Sequence, residues 1–430
     1  MNSTLIKNAQ ILLGENSFLK RDLLIEKGKI SAIGDGLSNK ADFIVDAKGA
    51  LLLPGLIDVH VHFREPGFPE KETIASGSKA AARGGFTTVF AMPNLNPVVD
   101  NVEVFKQVQA LNRQDGIIKI KQYAAISTGL TANKIDNIPA LSALGAIAFT
   151  NDGKGVQTAD TMYQAMLAAK AAGKVLVAHV EDNSLIHGGV VNAGLASKNL
   201  GFPGATKLSE TSQLARDLMI AKATGAQYHM AHVSAAESVE LIRIAKEHRI
   251  DVTAEVSPHH LLLDDSMITN DNSLMKMNPP LRSPDDRAAL LAGLLDGTID
   301  IVATDHAPHT KEEKAQSILT APNGVTGIET SFQLLYTHLV KPGIMSLRQL
   351  LKAMNQRPAD IFALKDVARE IAIGQVADLA LFDIRHLHEI KANEFASKAS
   401  NSPFIGWKVY GQTERTWVNG QQVYAKGDEK

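Results

Sequence analysis

Six residues with metal-binding side chains sit at or near the ends of apolar runs: His60 and His62 in LIDVHVHF, Asp152 in GAIAFTND, His179 in KVLVAHVE, His232 in QYHMAHVS and Asp305 in DIVATDHAP. In a strand, residues i and i+2 point the same way, so His60 and His62 share one face. Two imidazoles side by side in an apolar element need a partner for each nitrogen. A hydrogen-bonded core pair is one solution, and a metal ion that serves both rings is the other. The chain has no cysteine, so a metal must be held by nitrogen and oxygen alone. That donor set suits one or two Zn2+-like ions, and a carboxylate between two ions could bridge them at about 3.5–4 Å.

The six residues are far apart in sequence, so the elements that carry them must bring them together. From residue 52 the chain alternates β-rich apolar runs with Ala-rich helical stretches, the pattern of a parallel sheet wrapped by helices. Eight runs can be counted, at 56–63, 86–93, 118–126, 145–152, 174–181, 227–234, 251–258 and 300–308. Eight strands with intervening helices predict an α/β protein closed as a (β/α)8 barrel, and in a barrel the strand ends converge on one face, where sites are built. Convergence makes metal binding the better reading of all six residues. Residues 1–53 read instead as short β runs with turn signals, expected to form small antiparallel structure. β texture returns over 366–430, with an Asn-Gly turn at 419 and 420. The two ends are expected to pair as one small domain around a barrel of 54–365.

The charge balance of 44 basic and 46 acidic residues offers no basic field for nucleic acid and no polybasic patch for a lipid surface. The N-terminus shows no long apolar segment with a cleavage site, and no run of about 18 apolar residues occurs, so a soluble cytoplasmic protein is expected.

The motifs HVHFREPG, NDGKG, AHVE, AHVS, MNPPLR and ATDHAPH extend over essentially the whole chain. They resemble those of the amidohydrolase superfamily, and within it the dihydroorotases of the long bacterial type; HxHxREPG followed by TDHAPH is highly specific. The resemblance implies a distorted barrel with a small β-sandwich domain from both chain ends. It further implies two Zn2+ ions per subunit, though one would also fit the residues. His60 and His62 would bind one metal, His179 and His232 a second, Asp152 would bridge, and Asp305 would bind metal and move protons. Many relatives bridge their metals with a carboxylated lysine, and Lys154 lies close to Asp152. Asp152 is preferred because Lys154 falls beyond the strand in a Gly-rich loop.

The implied reaction is the reversible cyclisation of N-carbamoyl-L-aspartate to L-dihydroorotate, a step of pyrimidine biosynthesis. Both compounds carry carboxylates, so the pocket needs a fork of donors. Arg64 supplies one. Asn94 and His309 match the family's other carboxylate contacts and Asn278 its ring-amide contact. His62 is expected to touch substrate as well, and Asn323 and Gly324 lie in a loop expected to face the ring. His259 and His260 are unassigned by the motif and expected to be structural or to support the ligands. A homodimer, with association to aspartate transcarbamoylase, is the assembly implied. The rival readings are a cyclic amidase of uncharged rings and a non-catalytic scaffold; the latter would have lost metal ligands, and none is missing.

Overall fold

In the computed structural model, which describes residues 3–12, 14–37 and 40–427, each of the eight runs contains parallel strand. The strands are Leu56–Val61, Phe86–Ala91, Lys119–Gln122 continued by Ala124–Ala125, Phe149–Thr150, Leu176–Ala178, Tyr228–Met230, Val252–Val256 and Ile301–Val302. Each pairs with the next in chain order. Past the last strand, His306 bridges in parallel to Val61 on the first, and the His62 N–H donates to His306 O at 2.9 Å. Asp58 pins this seam: its Oδ1 accepts from the backbone N–H groups of His60 and Thr304, both at 3.1 Å.

Parallel neighbours need crossover connections, and the helices supply them. They include Ile74–Arg83, Val102–Asp115, Ala159–Ala171, Leu208–Thr224, Ala236–Glu247 and Pro284–Asp296. Their starts follow local chemistry. Thr73 with Ser76 and Ser283 with Asp286 form reciprocal capping boxes, and the side chains of Asn101 and Thr158 accept from the first-turn N–H groups. Helices cover these strands, and every residue of Leu56–Val61 and Phe86–Ala91 is buried, whereas Lys119–Gln122 is partly exposed. Ile57, Val59, Phe90, Tyr123, Val177 and Ile301 form one cluster with Phe362, whose ring meets Phe90 edge-on at 4.9 Å. Each such side chain contributes about 1.5–3 kcal/mol through removal from water.

The chain ends make a second, eight-stranded sheet. Thr4–Leu12, Phe18–Glu26 and Lys29–Gly34 pair antiparallel, as expected. Phe43–Asp46 and Leu51–Pro54 do not follow that expectation, since both run parallel to Thr4–Leu12, along its first and second halves. The far edge of the second strand is already taken by the third, so the chain crosses to the free edge of the first and arrives parallel. Leu379–Asp383 then pairs antiparallel with Leu51–Pro54, and Gln412–Val418 and Gln421–Ala425 extend the sheet. The last two are joined through Asn419 and Gly420 at φ +49° and +77°, where the Asn-Gly signal placed a turn. The ends of the chain therefore pair with each other around a separate core of Ile6, Leu23, Ile25, Leu52, Leu379, Leu381 and Trp417. Among the described residues no helix is long and apolar enough to cross a membrane.

Candidate active site

At the C-terminal ends of the parallel strands all six expected ligands meet, and all are buried. His60 Nε2 lies 3.3 Å from Asp152 Oδ1 and 3.4 Å from Asp305 Oδ1. His62 Nε2 is 3.1 Å from Asp305 Oδ1 and 3.5 Å from Asp152 Oδ2. On the other side, Asp152 Oδ1 is 3.8 Å from His179 Nδ1 and 3.7 Å from His232 Nε2, two nitrogens themselves 2.8 Å apart. Asp152 thus turns one oxygen to His60, His179 and His232 and the other to His62. Lys154, in contrast, is exposed.

The donor set can be tested against a metal. Two ligands about 2.0–2.1 Å from a tetrahedral ion stand about 3.4 Å apart, the spacing found around His60 and His62. His60 Nε2 is buried without a hydrogen-bond partner, a costly state for a ring nitrogen unless a cation takes its lone pair. His60, Asp152 and His232 form one group able to hold an ion, and His60, His62 and Asp305 another. The electrostatics agree. Burial opposes charge on His60, but Asp152, Asp305 and Glu255 overcome it and raise its pKa well above the usual value. Burial would likewise lift Asp305, but His60 and then His62 hold its carboxyl below the ordinary range. The pocket carries carboxylate charge that asks for a positive partner.

The backbone is strained where it presents these groups. Arg64, His232 and Asp305 have φ of +59°, +32° and +47°, a region that non-glycine residues seldom enter and that the surrounding structure must enforce. Asp152 is fixed by the preceding Asn151, whose side-chain oxygen accepts from the N–H groups of Ile126 and Ser127.

His62, Arg64, Asn94, Asn278, Asn323 and Gly324 line a cavity of about 150 Å³ above the ligands. A larger cavity of about 550 Å³ lies by Phe43 and Trp417 in the terminal sheet and contains none of the ligands, so size alone does not mark the site. Arg64 Nε donates to Pro308 O at 3.2 Å, and its Nη2 is 3.4 Å from His309 Nε2. Burial, then the charges of Arg64 and Lys71, push His309 down to about 3, so its ring stays neutral near pH 7. Asn94 does more than face the cavity: its Oδ1 accepts from His62 Nδ1 at 3.0 Å and its Nδ2 donates to Asp152 Oδ2 at 3.2 Å. Asn278 Nδ2 donates to Glu181 Oε2 at 2.7 Å. The Gly324 N–H is already donated to Lys276 O, and Asn323 O accepts from His309 Nε2 at 2.8 Å. Lys314 ties this loop down, its ammonium donating to the carbonyls of Lys276, Pro322 and Gly324.

His259 and His260 are both buried outside the ligand set. His260 spans Ser257 Oγ and Pro279 O, a structural role, while His259 Nε2 has no hydrogen-bond partner. Two acids were overlooked by sequence reasoning: Glu255, 2.6 Å from His60 Nδ1, and Glu181, 3.6 Å from His179 Nε2. Each stood as a polar residue among apolar ones, Glu181 at the end of the run 174–181 and Glu255 within 251–258, the same signal that singled out the histidines.

Solved structures resemble this arrangement. An L-hydantoinase (dihydropyrimidinase) from Arthrobacter aurescens matches with a TM-score of 0.88 at 27% identity, covering 100% of this chain and 97% of that one. Fold and site together define an enzyme of the cyclic amidohydrolase class. A family model described as Dihydro-orotase-like matches residues 49–238. The dihydroorotase of Enterococcus faecalis is 54% identical over 98% of this chain and 99% of its own, and that of Pediococcus pentosaceus 52% identical over the same shares. The chain belongs to the dihydroorotase family.

Proposed function

We propose that the chain catalyses the reversible cyclisation of N-carbamoyl-L-aspartate to L-dihydroorotate with release of water, as in pyrimidine biosynthesis. The observation that carries this is one small cavity at which His62, Asp152, His179, His232 and Asp305 meet Arg64, with His60 buried against both aspartates. Kinship with the dihydroorotases over nearly the full chain supports it. In this reading the parallel strands form a closed, distorted (β/α)8 barrel of residues 54–365, with a small β-sandwich domain from 1–53 and 366–430. The enzyme is cytoplasmic and homodimeric, and associates with aspartate transcarbamoylase.

Two Zn2+ ions would be held by these residues, one by His60, His62 and Asp305 and the other by His179 and His232, with Asp152 serving both. Held there, such ions would polarise the ring carbonyl and lower the pKa of water towards about 7. The chain's own groups do the rest. Asp305 turns Oδ1 to His60 and His62, so its Oδ2 accepts the proton of the attacking water and returns it to the departing ring nitrogen. In the forward direction the same carboxylate removes the proton of the ureido nitrogen. Arg64, His309 and Asn94 orient the substrate carboxylate. Asn278 and the Asn323–Gly324 loop hold the ring.

Cyclisation consumes a proton, so the zinc-loaded protein is expected to cyclise N-carbamoyl-L-aspartate at mildly acidic pH and hydrolyse L-dihydroorotate at alkaline pH. Turnover of uncharged rings such as hydantoin or dihydrouracil, with none of dihydroorotate, would assign the site to another cyclic amide. Inactivity on all of them with metal bound would overturn the proposal.

A further inference from the structure

We propose that Glu255 is a positioning residue for the ligand cluster, fixing the ring of His60 and the backbone of His232 at once. Glu255 stands in the seventh strand, Val252–Val256, and is 1% exposed. A carboxylate taken fully out of water is costly unless donors saturate it. Here three do: His60 Nδ1 at 2.6 Å and the His232 backbone N–H at 3.4 Å on Oε1, and His229 Nε2 at 3.1 Å on Oε2. His229 is held in turn by Thr253 Oγ1 at 2.8 Å from its Nδ1.

The consequence for His60 is chemical. With Glu255 accepting at Nδ1, a proton stays there, so the ring that meets a cation is the Nδ1–H tautomer, its Nε2 lone pair aimed between Asp152 and Asp305. That is the tautomer a ligand needs, and the carboxylate behind it strengthens Nε2 as a donor to a cation. The consequence for His232 is conformational, because its N–H bond to Glu255 helps hold φ at +32°. One acid thereby sets ligands from the first and sixth strands. The inference rests on the reading that the cluster holds metal.

The test is zinc affinity by chelator competition, with the visible spectrum of the Co2+-loaded protein as a second readout. Glu255→Gln keeps the shape but offers an acceptor to only one of the two imidazoles. It is expected to weaken zinc binding 10- to 100-fold and to shift the Co2+ bands. Asp217→Asn, a buried acid held by Tyr228 and Arg216 away from the cluster, is expected to change neither. Glu255→Gln binding within threefold of wild type, or an equal loss in Asp217→Asn, overturns the proposal. If Glu255→Gln does not fold, Glu255→Asp, which withdraws the carboxylate from His60 by one methylene, is read against the same thresholds. Wild-type protein that takes up no zinc overturns the metal reading, and this proposal with it.

Discussion

Around Trp417, the side chains of Leu23, Ile25, Leu52, Leu379 and Leu381 pack against one another. At the ends of the parallel strands, four imidazoles share the interior with the carboxylates of Asp152, Asp305 and Glu255. The first region is stabilised by removal of apolar surface from water, and its backbone enters the left-handed region at turns such as Asn419–Gly420 and at Asn8, where the pairing of Thr4–Leu12 shifts register. The second gathers buried charge and left-handed backbone at Arg64, His232 and Asp305, and leaves His60 Nε2 unpartnered. Such an arrangement weakens a fold by itself and persists because the surrounding strands and helices over-determine it. Stability thus resides in the apolar core and chemistry in the charged cluster, and substitutions can separate the two.

The largest effect is expected at the centre of the cluster. Asp152→Ala removes the one group that faces all four histidines, so activity should be abolished and the ion shared with His179 and His232 lost. Metal analysis and circular dichroism check this: a protein with full zinc content would exclude Asp152 from the site. Trp417→Ala attacks the other region. Trp417 is fully buried, and truncating such a side chain costs about 3–5 kcal/mol. The denaturant midpoint should fall while zinc content and KM of the folded protein stay unchanged; loss of zinc would show that the two regions are not separable.

A smaller effect is expected beside the cluster. Burial pushes His259 from its ordinary 6.5 down to about 4. The unfolded chain therefore binds a proton that the folded one refuses, and the stability this residue contributes is complete above pH 6.5 and lost as the pH falls towards 4. The loss amounts to about 3 kcal/mol. His259→Leu should flatten the dependence of unfolding midpoint on pH across that window, and an unaltered slope would refute the assignment.

Much of both regions was legible in the sequence. The eight runs could be counted because most are apolar enough to be buried on both faces, the lysines of Lys119–Gln122 being the exception, and the ligands stood out as polar residues inside them. What was illegible is non-local. Nothing in Phe43–Asp46 or Leu51–Pro54 says that their partner strand runs parallel, because the choice depends on which sheet edge is already occupied. Asn94 was visible as a site residue, but its two bonds to His62 and Asp152 depend on how an amide is turned. Glu255 and Glu181 were visible only as isolated acids, and their purpose depends on which imidazole stands opposite.

The smallest expected effect sharpens the comparison most. Lys154 lies two residues past Asp152 and is the alternative bridging group, as a carbamate on its amine. A lysine carbamate needs an amine that is dry and fixed. Lys154 is exposed, between Gly153 and Gly155 at φ +76° and +63°, in a turn where its own N–H is donated to Asn151 O. Asp152 is buried and already placed between both pairs of histidines. Lys154→Ala should therefore retain zinc and most activity, within the roughly ±0.5 kcal/mol of an ordinary surface substitution, and added bicarbonate should change nothing. Loss of zinc in Lys154→Ala, or electron density joining its amine to two ions, would move the bridge from Asp152 to the lysine and make the exposed loop part of the cluster.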